Sequence, residues 1–127
     1  MTLNNMKNAR LLVPALLLFA MLFINNSGIG QVKILPTKLK VTVIDGTGNF
    51  VEGATVTLFL TKDDYINNQN ATSSANTDAK GKVIFKKLEP RKYYLDVRKA
   101  QQNNDGRGSE TDKLKEGRVN KVNVVIE

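Results

Sequence analysis

Cysteine, histidine and tryptophan are all absent from this 127-residue chain. Without cysteine no disulfide braces a small domain, and no thiol serves as nucleophile, redox centre or lipid attachment point. Without histidine the side chain that titrates nearest neutral pH is gone, and with it the usual general base and metal-binding ring nitrogen. Proline is scarce at 3 residues, and aromatics make up 6% of the chain. Stability therefore has to come from a packed aliphatic core.

Long apolar runs are also rare. One, Leu11–Ile24, follows a start that carries Lys7 and Arg10 and no acid, and leads through Asn25-Asn26-Ser27 to Gly28-Ile29-Gly30. A basic start, a short apolar middle and a small-x-small exit describe a secretory signal peptide over residues 1–30, with cleavage expected between Gly30 and Gln31. The rival, a membrane anchor, needs roughly 20 apolar residues, and Pro14 interrupts this shorter run. The expected working domain is 31–127, exported to the periplasm or cell exterior. Losing Lys7 and Arg10 lowers the formal charge from +7 to +5.

The remaining chain reads as short alternating segments between Gly, Asp, Asn and Pro. Leu39, Val41 and Val43 share one face of the first segment, with Lys38, Lys40 and Thr42 on the other. Ala54, Val56, Leu58 and Leu60 share a face of the second; Val83 and Phe85 of the next; Tyr93, Leu95 and Val97 of the next; Val122, Val124 and Ile126 of the last. Period-2 alternation with frequent turn signals indicates an all-β protein, a Greek-key β-sandwich of about seven strands, with a closed barrel as the alternative. Asp63–Asn76 is polar and Asn/Ser-rich, and reads as a long loop with room for a short extended piece.

Asp45-Gly46, Gly53-Ala54, Thr77-Asp78 with Gly81, Phe85, Leu88 with Pro90, and Tyr93 with Leu95 stand in a specific order. In that order and spacing the chain resembles the carboxypeptidase regulatory-like domains, members of the transthyretin-like β-sandwiches. The resemblance implies that fold, and a domain that accompanies catalytic domains without being one. Arg91 departs from it, standing where relatives usually have Gly, and the Asp63–Asn76 loop is longer than usual. The enzymes of the fold class, hydroxyisourate hydrolases and intradiol dioxygenases, depend on histidines that this chain lacks. Collagen-adhesin B-type relatives carry a Lys–Asn cross-link from an inward lysine of the first strand, and here Lys38 and Lys40 lie on the outward parity.

No catalytic residue, cofactor or metal site is expected. Ser73, Ser74 and Ser109 lie in polar sequence with no base beside them, and Asp63-Asp64 lacks the alternating ligands of a calcium loop. Asp63, Asp64 and Tyr65 mark the long loop as a candidate binding loop. Lys82, Lys86, Lys92 and Arg98 all fall on outward parity, and form a candidate anion-binding face if one sheet carries them. Outward lysines also serve simply to keep a sheet soluble and its edges unpaired. Ile44, Phe59, Ile84 and Tyr94 are apolar at outward positions; they either cluster as a partner face or pack beneath the long loop. The expected function is a secreted, non-catalytic binding or scaffolding module whose partner is an envelope protein or surface glycan. A self-associating structural subunit is the alternative. Nucleic acid is not an expected partner, because no stacking platform interleaves the basic residues.

Overall fold

The computed structural model describes residues 34–127, so the expected leader lies outside the described residues. Within them the elements run β1 (Lys38–Asp45), β2 (Thr55–Phe59), α1 (Lys62–Asn67), β3 (Ser73–Asn76), β4 (Lys82–Phe85), β5 (Tyr94–Lys99), β6 (Gln102–Asn103) and β7 (Val119–Ile126). They make a 3-stranded sheet, β4-β1-β7, and a 4-stranded sheet, β3-β2-β5-β6. The protein is an all-β sandwich. β1 pairs with β4 antiparallel but with β7 parallel, from Lys38 opposite Val119 to Asp45 opposite Ile126.

The alternating sets found in the sequence are the core. Leu39, Val41, Val43, Val83, Phe85, Val124 and Ile126 from the first sheet meet Val56, Leu58, Leu95 and Val97 from the second, with Ala54, Tyr93 and Leu114 closing the ends. Burying each larger aliphatic side chain contributes about 1.5–3 kcal/mol, the main force holding a domain without disulfides. Tyr93 is buried, and its hydroxyl donates to the Glu89 carbonyl at 3.2 Å while accepting from the Glu89 N–H at 3.1 Å. Burial pushes this phenol above its ordinary pKa, and the phenol stays protonated as the donor it has to be.

Two turns use one device. The Asp45 carboxylate accepts from the N–H groups of Thr47 and Asn49 at 3.0 and 2.9 Å. Asp78 accepts from those of Lys80 and Lys82 at 2.9 and 3.0 Å. Gly81 ends the second turn at φ +70°, and its carbonyl accepts from the Val43 N–H at 2.7 Å. A Cβ there would stand 2.6 Å from the Val43 carbonyl oxygen, so only glycine lets the turn lie on β1.

The reading of Asp63–Asn76 as loop is corrected in part. The expected extended piece is β3, but residues 62–67 are helical. Thr61 caps this helix by accepting from the Asp64 N–H at 3.1 Å, Asp63 and Asp64 lie in its first turn, and Asn68 closes it in the left-handed region. The Thr61-x-x-Asp64 spacing is a helix-start signal in the sequence, hidden because six residues show no 3.6-residue stripe.

Candidate functional site

A helix as short as α1 does not persist alone in water. It is held on the outside of the second sheet by three aromatic rings. Phe59 on β2 and Tyr94 on β5 are direct cross-strand partners. Tyr65 of α1 meets Phe59 edge-on with centroids 6.1 Å apart, and lies over Tyr94 at 6.3 Å with the planes 29° apart. Such pairs add about 0.5–1.5 kcal/mol each beyond their burial. Phe59 is fully buried although it lies outside the core cluster, because Tyr65 covers it.

Beyond the rings the same face turns polar. Thr55 Oγ1 donates to Asn76 Oδ1 at 3.0 Å, and the Thr57 and Ser74 hydroxyls are 3.1 Å apart. Opposite them, Arg98 Nε donates to both Asp96 oxygens, at 3.1 and 3.0 Å, and its Nη2 reaches Asp105 at 3.5 Å. Burial first, then the Asp105 carboxylate, pushes the Tyr65 phenol above its usual range, while Ser109 and Arg98 act on it in the opposite sense. An open cavity of about 530 Å³ adjoins the rings, lined by Leu60, Glu89, Pro90, Arg91, Lys92 and Tyr94. Arg91, the residue that replaces the expected glycine, donates from Nη2 to the Leu60 carbonyl at 3.2 Å and ties the turn to the end of β2. Arg91 is not among the residues with positive φ, so the position does not need the left-handed backbone that favours glycine.

Hydroxyls, an amide, a fixed carboxylate and a guanidinium over an aromatic base can recognise a polar, hydroxyl-rich or peptide surface. Among the described residues, no group of three or more Asp or Glu side chains is placed to hold a metal ion. The neighbour of the Ser74 hydroxyl is another hydroxyl, that of Thr57.

The model of the carboxypeptidase regulatory-like domain matches residues 38–127. The chain belongs to the carboxypeptidase regulatory-like domain family. No curated protein sequence matches it. Solved structures similar in fold include the Bacillus anthracis TIE protein, with a TM-score of 0.52 and 16% identity over 73% of this chain and 16% of the other. The group B streptococcus pilus 2b backbone protein has a TM-score of 0.52 and 19% identity over 80% of this chain and 44% of the other. The chain thus spans less than half the length of either protein, and the likeness is one of fold. Chlorocatechol 1,2-dioxygenase from Pseudomonas putida is looser, with a TM-score of 0.45 and 16% identity over 80% of this chain and 64% of the other. That superposition carries no argument about activity.

In this family member the expected partner face does not exist as one surface. Phe59 and Tyr94 lie on the outside of the second sheet, whereas Ile44 on β1 and Ile84 on β4 belong to the first. The core separates the two pairs. Phe59 is not exposed at all, and packing beneath the 62–76 segment is the alternative that holds for it and for Tyr94.

The expected anion-binding face of Lys82, Lys86, Lys92 and Arg98 is divided in the same way. Lys82 is on β4 of the first sheet and Lys86 directly follows that strand. Arg98 is on β5 of the second sheet and paired with Asp96 and Asp105, and Lys92 pairs with Glu110 at 3.3 Å. β4 and β5 are neighbours in sequence but lie in opposite sheets, so outward on one is the far side from outward on the other.

Asp63, Asp64 and Tyr65 sit on α1, and only Tyr65 turns toward the sheet. Asp105 and Ser109 join this face, although nothing in local alternation brings the 103–110 segment beside Tyr65. Leu39, Val41 and Val43 fill the inward positions of β1, so no lysine of that strand faces Asn120. The Asn120 amide is instead a clamp, donating to the Lys38 and Lys115 carbonyls at 3.1 Å each.

Proposed function

We propose that this carboxypeptidase regulatory-like domain is an exported, non-catalytic recognition or scaffolding module of the cell envelope, with a surface glycan or an envelope protein as its partner. The observation that carries the reading is the 62–76 segment. Its helix is capped at both ends and packed by Tyr65 onto Phe59 and Tyr94. A connecting segment that a scaffold holds in place beside a polar face is a usual way such frames acquire binding specificity. Export is supported by the basic, apolar and small-residue pattern of residues 1–30.

The test is a binding screen of the Gln31–Glu127 protein against cell-wall oligosaccharides and against immobilised envelope proteins of the source organism. A ligand of this face should lose about tenfold or more in affinity with Thr57→Val or Arg98→Gln, the range expected when one polar contact of a binding site is left unpaired. Unchanged affinity in both variants, or turnover of any screened compound, would sink the reading.

A further inference from the structure

The outside of the first sheet presents a different chemistry. Register places Lys40 directly beside Lys121 of β7 on one side and Ile84 of β4 on the other. Lys38 stands one step along the same face, beside Val119, and Lys82 stands one step the other way, beside Thr42. Neighbouring strands are about 4.8 Å apart, so these ammonium groups form a band across three strands. Among the described residues none of them takes part in an ion pair, whereas Arg91, Lys92, Arg98 and Arg107 all do. The charge of Lys82, then partial burial, then the charge of Lys121 pull Lys40 below the ordinary lysine range. One carboxylate, Asp78, acts on Lys40 in the opposite sense, and it accepts from the N–H groups of Lys80 and Lys82. These cations repel one another, and the Asp78 carboxylate offsets only a small part of that on Lys40.

The band continues into a cleft. Along the edge of β7 lies a cavity of about 400 Å³ whose lining includes Lys113, Lys115, Arg118 and Lys121 against the single acid Asp112. Lys121 belongs to both features and joins them.

We propose that this cleft and band are a binding track for a linear polymer of phosphate groups. A band of cations outside any ion pair that runs on into a cleft suits a long polyanion better than a small ligand. The lysines act as compact point charges on phosphate, and Arg118, the one arginine of the row, offers a fork to the same kind of group. Ile84 and Val119 are each about half exposed beside it, which makes an anionic lipid surface the competing occupant. The cleft argues for the polymer, since a bilayer has no chain to enter it. This inference concerns the face opposite to the one described under the proposed function and stands independently of it.

The whole core lies between Leu39 and Ile126, so the Gln31–Glu127 protein carries everything the sandwich packs on and serves for the test. Its affinity for long-chain inorganic polyphosphate is measured by titration calorimetry between about 50 and 200 mM salt, where counterion release makes phosphate contacts salt-dependent. Polygalacturonate, single-stranded DNA and phosphatidylglycerol vesicles are the comparison ligands. Wild type should bind polyphosphate best, with affinity falling steeply as salt rises. Lys40→Glu/Lys121→Glu and Lys115→Glu/Arg118→Glu should each weaken binding about tenfold or more and flatten the salt slope. Lys62→Glu/Lys99→Glu, with the same change in net charge elsewhere, should stay within about twofold. Circular dichroism melts check folding, and Lys40→Gln/Lys121→Gln replaces any charge-reversed variant that unfolds. Equal losses in the control, absence of polyphosphate binding, or stronger binding to any comparison ligand would overturn the proposal.

Discussion

Thr77 and Ala54 are joined twice: the Ala54 N–H donates to Thr77 Oγ1 at 2.9 Å, and the Thr77 N–H donates to the Ala54 carbonyl at 2.9 Å. The same hydroxyl donates to the Val51 carbonyl at 2.6 Å. Two pieces of the family pattern, Gly53-Ala54 and Thr77-Asp78, are therefore a single latch, closing the entry to β2 against the exit of β3. Thr77→Val keeps the branched volume and removes the hydroxyl, leaving a buried N–H and a carbonyl unsatisfied. A loss of about 1–3 kcal/mol is expected, with Thr77→Ser retaining most of it. Urea unfolding of the three proteins checks this, and a Val variant as stable as wild type would refute the latch.

Gly81 and Gly106 both have positive φ, +70° and +73°, but only Gly81 has backbone against its missing side chain. Gly106→Ala meets nothing within 4 Å and should show the conformational cost alone, about 1 kcal/mol. Gly81→Ala has to move the turn off Val43 as well, and should cost clearly more or fail to fold. Equal thermal midpoints for the two variants would show that the close approach is unimportant.

Tyr65→Ala uncovers Phe59 and removes the ring stacked on Tyr94. The global loss expected is about 1–3 kcal/mol, from two aromatic pairs and the newly exposed ring. Amide exchange should accelerate across α1 while β1, β2 and β5 keep their protection, because the helix is outside the core. Exchange accelerating uniformly through both sheets would mean that the helix is part of the cooperative unit.

Asp45 and Asp78 both have folded pKa values below the ordinary aspartate range. For Asp45 the Thr47 hydroxyl is the largest cause, followed by the Asn49 N–H; for Asp78 it is the Lys82 N–H, followed by that of Lys80. A carboxylate depressed in this way stabilises the fold fully above its unfolded pKa, about 3.9, and the contribution disappears as pH falls through the lower folded value. The thermal midpoint should fall as pH drops below about 4, and Asp45→Asn/Asp78→Asn should flatten that acid limb. An acid limb unchanged in the double variant would assign it to other groups.

The residues that alternate in the sequence were enough to determine the β class, the inward set from Leu39 to Ile126, the turns at Asp45 and Asp78, and the burial of Tyr93. Each of these depends on local chemistry: strand side chains alternate with period 2, and an Asp accepts from N–H groups two to four residues ahead. Only the tertiary structure decided which outward residues share a surface. A sandwich has two outsides, and alternation records distance from the core without recording the side. Ile44 and Ile84 thus part from Phe59 and Tyr94, Lys82 parts from Arg98, and Lys40 finds Lys121, distant in sequence, because the first and last strands lie side by side.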